Sequence, residues 1–335
     1  MLIFDFLWEV IMKKRFIVFL SVVNILFLLC SCASSPTAKK SVIVERDERM
    51  FWEINSPTGT KIYVLGTIHV GDEQIAAIEP TVMDAFLKAD ARYGELSLTE
   101  MMSMESYLMP IISSSLVMDE EGKVVPVTTF LTEDENQFLE ELASSVLLDM
   151  GLGDAYSALS LLPPWYWNNL LDSIATTAAG FDANLGIDMI LYAKAMELGL
   201  EVLGLDAMET QLEVLTFGTT EDHVAILKDA IASFQTDNWA DELLQLADLY
   251  VADDKEGLAL VLKESDLDIS GLSQEYKEQY MLKLINERNR SWADQFANML
   301  KEKDKTYFVF GGAAHWLYSP SVFEMLVQDG VLEWQ

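Results

Sequence analysis

Cysteine is almost missing from this chain of 335 residues: Cys30 and Cys32 are the only two. With both so near the N-terminus, no disulfide can brace the rest of the chain, and no thiol there can serve as a nucleophile. Histidine is scarce too, with three, and 22 Lys and Arg face 54 Asp and Glu for a formal net charge of −32. So acidic a surface repels phosphate backbones and offers no basic grip on anionic lipid, which excludes nucleic acid as a partner. No HExxH is present, so the metal-binding helix of the zincin peptidases is unavailable. Repeats of solenoid period are absent as well. What remains is 51% hydrophobic, enough for a large core and incompatible with a disordered tail.

The N-terminus carries processing signals. Lys13, Lys14 and Arg15 precede an apolar stretch over residues 16–29, broken by Ser21 and Asn24. It is shorter than the roughly 20 residues of a spanning helix and fits the core of a signal peptide. Leu29-Cys30-Ser31-Cys32 then reads as a bacterial lipobox, with Cys32 lipidated and a polar Ser/Pro/Thr/Lys-rich linker behind it. The alternative is an uncleaved N-terminal anchor. The expected organisation is a lipoprotein signal peptide over 1–31, a linker over 32–45 and a folded domain over 46–335. That predicts a cell-envelope protein held to the membrane by the lipid, at the outer membrane where a cell has one, since Ala33 rather than Asp follows Cys32. Met12 is a more natural start than Met1, because Asp5 and Glu9 precede the basic cluster. Removing residues 1–31, with those two acids against Lys13, Lys14 and Arg15, leaves 52 acidic and 19 basic side chains.

Past the linker, residues 41–46 and 51–54 alternate like strands, 56–59 signal a turn, and 61–66 read as a buried strand. Residues 79–89 have helical spacing, with Ile78, Val82, Phe86 and Ala89 on one face, and a short strand over 91–98 follows. Between residues 99 and 304 the pattern is mostly helical, clearest over 132–148, 165–177, 186–198, 220–234 and 274–301. A strand over 200–205 interrupts it, another over 306–310 closes it, and 330–334 could add an edge strand. The predicted fold class is α/β, a mixed central sheet flanked by helices with a helical middle region.

Two of the three histidines share one setting. Gly66-Thr67-Ile68-His69 ends the strand over 61–66, and Gly312-Ala313-Ala314-His315 ends the strand over 306–310. Each is Gly-x-x-His at the C-terminal end of an apolar strand, where open α/β sheets place ligands. Glycine lets backbone approach a bound group, and imidazole offers a nitrogen to a metal or a proton carrier near neutral pH. One such motif is more often a structural feature; two together favour a site. Two imidazoles need a carboxylate to complete a divalent-metal site. Glu95, placed inside the strand over 91–98, is the first candidate, although it could equally face solvent. Asp206 ends the strand over 200–205 and Asp72 lies three residues past His69; in so acidic a chain each has a bland reading as surface. His223, in Thr220-Glu221-Asp222-His223 at a helix start, reads as an exposed or capping residue. Trp165, Tyr166 and Trp167 could line a peptide groove but read more readily as packing residues.

These residues carry a resemblance. GTIHVGD, GELS, LPPWYW, LGIDMILYAKAMELGLEVLGLDAMETQ, ERNRSWA and FVFGGAAHW resemble, in this order, the TraB/GumN family, which includes the TIKI-type metalloproteases. The resemblance runs from about residue 51 to the C-terminus. It implies a fold related to the erythromycin esterase/ChaN-like group, with both Gly-x-x-His motifs converging on one pocket. His69 and His315 match the motif histidines and Glu95 the acid after the first helix. Gly186 and Asp188 match a mid-chain Gly-x-Asp, and Arg288 and Asn289 an Arg-Asn pair before the last strand. Asp206 stands where the family usually carries Glu, which weakens a direct metal role for it; Glu209 and Gln211 still match. Trp316 replaces the more common Leu.

What the resemblance implies is an extracytoplasmic metal-dependent hydrolase, most concretely a peptidase. His69, His315 and Glu95 would hold a divalent metal ion (Mn, Co or Zn), and Glu95, Asp206 or Asp72 would take a proton from water. Arg288 would bind a substrate carboxylate or an oxyanion, and Asn289 and Asp188 would contact the peptide or protein substrate. The alternative is a non-catalytic lipoprotein that binds a ligand or signal peptide. A structural scaffold is a third reading, weakened because a scaffold would not need histidines at strand ends.

Overall fold

Unbroken apolar runs such as YFVF and YVL cannot leave either face to water, and they lie in the interior of a seven-stranded sheet. The computed structural model describes residues 39–149, 156–236, 240–264, 269 and 271–335. The signal peptide expected over 1–31 and the lipidation expected at Cys32 lie outside the described residues. The strands are β1 (Ser41–Glu45), β2 (Phe51–Asn55), β3 (Lys61–Thr67), β4 (Ala91–Gly94), β5 (Leu203–Gly204), β6 (Thr306–Gly312) and β7 (Leu332–Trp334). Their order across the sheet is β5-β4-β6-β3-β2-β1-β7. β3, β6, β4 and β5 run parallel, β2 is antiparallel to both its neighbours, and β7 is parallel to β1. The fold is therefore α/β with a mixed sheet. β1 occupies the last five residues of the stretch expected as linker, and Ser41 and Ile43 are buried, so the folded unit begins before residue 46. β4 stops at Gly94, which puts Glu95 just beyond the strand rather than inside it.

Helices cover the sheet and fill the middle of the chain. α1 (Pro80–Lys88) opens with proline, whose missing N–H costs nothing in a first turn. Its Val82 and Phe86 are buried, and Phe86 meets Phe308 edge-on at 5.3 Å. α2 (Leu98–Met102) and α3 (Met104–Ser114) follow Glu95. α4 (Glu133–Asp149), α5 (Pro164–Ala178) and, later, α8 (Thr220–Phe234) share a small core of their own around Leu139, Trp167, Leu171 and Leu227. Trp165 and Trp167 are both buried, the packing role. α6 (Ile187–Leu198) runs from Gly186 to a left-handed Gly199, φ 64°, the usual helix stop. α7 (Met208–Leu215) comes after β5. The long helical run over 274–301 contains α9 (Gln274–Met281) and α10 (Glu287–Met299), joined without a gap by a π-helical turn at Leu282–Asn286. α11 (Ala314–Leu317) and α12 (Val322–Gln328) complete the domain. Among the described residues, no helix is long and apolar enough to cross a membrane.

Candidate functional site

β3 and β6 are parallel neighbours in the centre of the sheet, and their register pairs Gly66 with Gly311 and Thr67 with Gly312. Both Gly-x-x-His motifs therefore leave the sheet at the same end, one residue out of step. β4 pairs with the other side of β6, so Glu95 emerges at that end too. Beyond β4 and β5 the ladder continues, with Asp206 N–H donating to the Glu95 carbonyl at 2.8 Å. Parallel pairing alone thus gathers His69, His315, Glu95 and Asp206 at one edge.

His69 lies in a loop clamped to the start of α6. Ile187 N–H donates to the Ile68 carbonyl at 3.1 Å, and Gly71 exchanges backbone hydrogen bonds with Asp182. A Cβ on Gly186 would fall 2.3 Å from the His69 carbonyl oxygen, so glycine is required for this close approach. The same clamp brings Asp188, in the first turn of α6, to 3.2 Å from His69 Nδ1. Asp188 is the main cause that pushes the His69 pKa up, to about 9, against desolvation. The His69 side chain is 62% exposed, so solvent screens part of that pull. Asp188 Oδ1 is buried with no hydrogen-bond partner among the described residues.

Glu95 is held from several sides. Oε1 accepts the Gly312 N–H at 2.7 Å and lies 3.9 Å from His69 Nε2; Oε2 accepts from Gln211 at 3.2 Å and from Arg288. Burial alone would raise its pKa, but His315, His69 and Arg288 outweigh burial and hold it at about 2. Asp206 differs: burial raises its pKa, Arg288 and Trp292 oppose this, and Glu95 beside it adds repulsion. Arg288 Nε donates to Asp206 at 2.7 Å, and its third nitrogen donates to the Leu284 carbonyl at 3.1 Å. All three guanidinium nitrogens are thus engaged within the protein. Trp292 Nε1 donates to Asp206 at 2.7 Å, and Asp72 Oδ1 is occupied by the Gln74 and Ile75 N–H groups.

His315, on α11, is 4% exposed and packed against the Trp292 ring at a centroid distance of 4.1 Å. Its Nδ1 meets Asn289 Oδ1 at 2.6 Å, and Asn289 Nδ2 donates to the Pro320 carbonyl at 2.9 Å, so the amide's orientation gives Nδ1 the proton. Burial pushes the His315 pKa down to about 3, against the pull of Glu95. Arg288, Asn289 and Trp292 all project from α10 immediately after the π-helical turn, where the Glu287 N–H donates to the Leu282 carbonyl five residues back. Such turns often occur at functional sites because they re-aim a helix face.

The cluster opens on a cavity of about 200 Å³ whose lining combines His69, Glu95, Asp188 and Gln211 with Met101, Met104 and Phe310. At Gly312 an added Cβ would sit 3.2 Å from Glu95 Oε1, 3.6 Å from His69 Nε2 and 3.9 Å from His315 Cδ2. Two donor atoms and the edge of the His315 ring therefore surround one point that glycine leaves open. Each imidazole has Nδ1 tied back to a carboxylate or amide, the outer partner that metal-ligating histidines carry. The donor chemistry fits a divalent cation. As they stand, the described side chains include no group of three or more His, Cys, Asp or Glu gathered to hold one. Arg288, Asn289, Asp188 and Asp206 all belong to the cluster, while Asp72 is tied up in its own turn. Tyr192, whose hydroxyl donates to the Leu96 carbonyl at 2.6 Å, and Trp292 were not singled out by motif; each lies four residues beyond a site residue on one helix, which is the signal that finds them.

The model of the TraB/PrgY/gumN family matches residues 50–332. A protein of Treponema pallidum (strain Nichols), described as uncharacterized, is 29% identical over 319 residues, covering 95% of this chain and 92% of its own. No solved structure matches.

Proposed function

The chain belongs to the TraB/PrgY/gumN family, and on that premise we propose that it is a metal-dependent hydrolase of peptide bonds. The observation that carries the reading is the meeting of His69 Nε2, Glu95 Oε1 and the His315 ring around the point above Gly312. His69, His315 and Glu95 would hold a divalent ion, Mn, Co or Zn, which when bound polarises a carbonyl and makes water acidic near neutral pH. The protein's own residues do the rest. Asp188 and Asn289 take the Nδ1 atoms of the two histidines and aim both Nε2 atoms inward. Arg288 and Gln211 fix the Glu95 carboxylate, and its neighbours hold it in the ionised form that a cation ligand needs. Arg288 spends three of its five N–H donors on Asp206, Glu95 and the Leu284 carbonyl, so it orients the two carboxylates and keeps two donors for a substrate carboxylate or oxyanion. Substrate would enter past exposed His69 and lay an apolar side chain against Met101, Met104 and Phe310. The compartment in this reading is the cell envelope, with a lipid on Cys32.

Metal analysis by plasma mass spectrometry, paired with cleavage of a peptide library, tests the reading. The wild-type protein is expected to carry a stoichiometric divalent ion and to cleave peptides, and His69→Ala/His315→Ala to lose both. Unchanged metal content in the double variant rejects the site; a loaded ion without turnover favours a ligand-binding lipoprotein instead.

A further inference from the structure

A second cavity, of about 180 Å³, shares no lining residue with the cavity at His69. Its lining comes from the segment after β5, from α7, from the π-helical turn and from α10. Two cations and three carboxylates are part of it. Arg288 and Asp206 are buried there and bound to each other at 2.7 Å.

Lys283, Glu213 and Glu287 are placed differently. They form no ion pair and no side-chain hydrogen bond among the described residues. Lys283 Nζ stands 5.9 Å from the Phe217 ring centroid, and it does not pair with Glu287 although the two are four residues apart. Glu213 and Glu287 are exposed and Lys283 is half-buried, so a ligand can reach all three. The Thr210 and Ser291 hydroxyls, in the same lining, are equally unspent. An exposed charge is ordinarily a solvated surface group. These charges share a concavity with Leu205 and Val214, which are buried and apolar.

We infer that this cavity is a binding site for a free α-amino acid with an aliphatic side chain. An ammonium has three donors, enough to serve both Glu213 and Glu287, while Lys283 takes the carboxylate. The side chain lies on Leu205 and Val214. A bare anion would meet three carboxylates, and a bare amine would meet Lys283 and Arg288. Only a zwitterion answers both signs of charge. The volume is below the range of drug-sized ligands, about 300–1,000 Å³, and suits one amino acid. The site does not depend on hydrolysis at His69.

Leucine, 4-methylpentanoate and 3-methylbutylamine are the probes, because the second lacks only the ammonium of leucine and the third only its carboxylate. Each is titrated calorimetrically into the full-length protein at low salt. Wild type is expected to bind leucine about tenfold tighter than either, the size of one hydrogen bond to a charged group. Lys283→Gln should abolish the lead of leucine over the amine, and Glu213→Gln/Glu287→Gln its lead over the acid. No saturable binding of leucine, equal affinities for the three probes, or a lead that survives in either variant would overturn the site. Should one variant fail to fold, the other decides.

Discussion

Arg288 joins carboxylates from two strand ends, Glu95 after β4 and Asp206 after β5, and it does so at 6% exposure. Replacing it by Met would leave both acids buried without a cation, at a cost of about 3–5 kcal/mol. Denaturant unfolding of Arg288→Met should show a loss of that size, and Arg288→Met/Asp206→Leu should recover part of it. A single variant as stable as wild type would mean that the pair is not load-sharing. The two site histidines were readable because each sits in a local motif at a strand end. Glu95 was readable as an acid but not as an ion-pair partner, since its cation lies 193 residues away. His223 is buried and was misread because Thr219 and Asp222 form a capping box, the signature of a surface helix start, and nothing local reveals that α5 packs against α8.

The π-helical turn sets the direction of everything on α10. It inserts one extra residue, and each residue of an α-helix turns the chain by about 100°. Deleting Lys283 should restore the regular ladder and rotate Arg288, Asn289 and Trp292 away from Glu95, Asp206 and His315. Far-UV circular dichroism is expected to stay close to wild type, while the His315 Nδ1 resonance leaves its hydrogen-bonded position as Asn289 departs. An unmoved resonance would show that the turn can re-form elsewhere. The apolar pattern over 274–301 reads as one helix, because LKLIN has no Pro or Gly to mark a change of pitch. The strands fared unevenly for a related reason. β3 and β6 are long, with apolar runs at their centres, whereas β5 is two residues of a six-residue expectation, at the sheet edge with one neighbour to pair with.

Across the whole molecule the charge balance of −32 means that folding compresses like charges. Salt shortens the reach of that repulsion, to about 10 Å at 0.1 M. The melting temperature should therefore climb by several degrees as sodium chloride is raised from low ionic strength. Buried contacts such as Arg288 with Asp206 are screened far less, so a fall would mean that ion pairs outweigh the repulsion.

The first and last strands of the domain close on each other. β1 and β7 run parallel, Ser41 beside Leu332 and Ile43 beside Trp334, with Gln335 N–H donating to the Ile43 carbonyl. Because the pair is parallel, a pull between the two ends of the domain drags the strands lengthwise past each other. Their hydrogen bonds then carry the load together instead of opening one by one like a zip. The seam between the first and last described strands is consequently a mechanical clamp, loaded in shear along the axis on which tension between Ser41 and Trp334 would act.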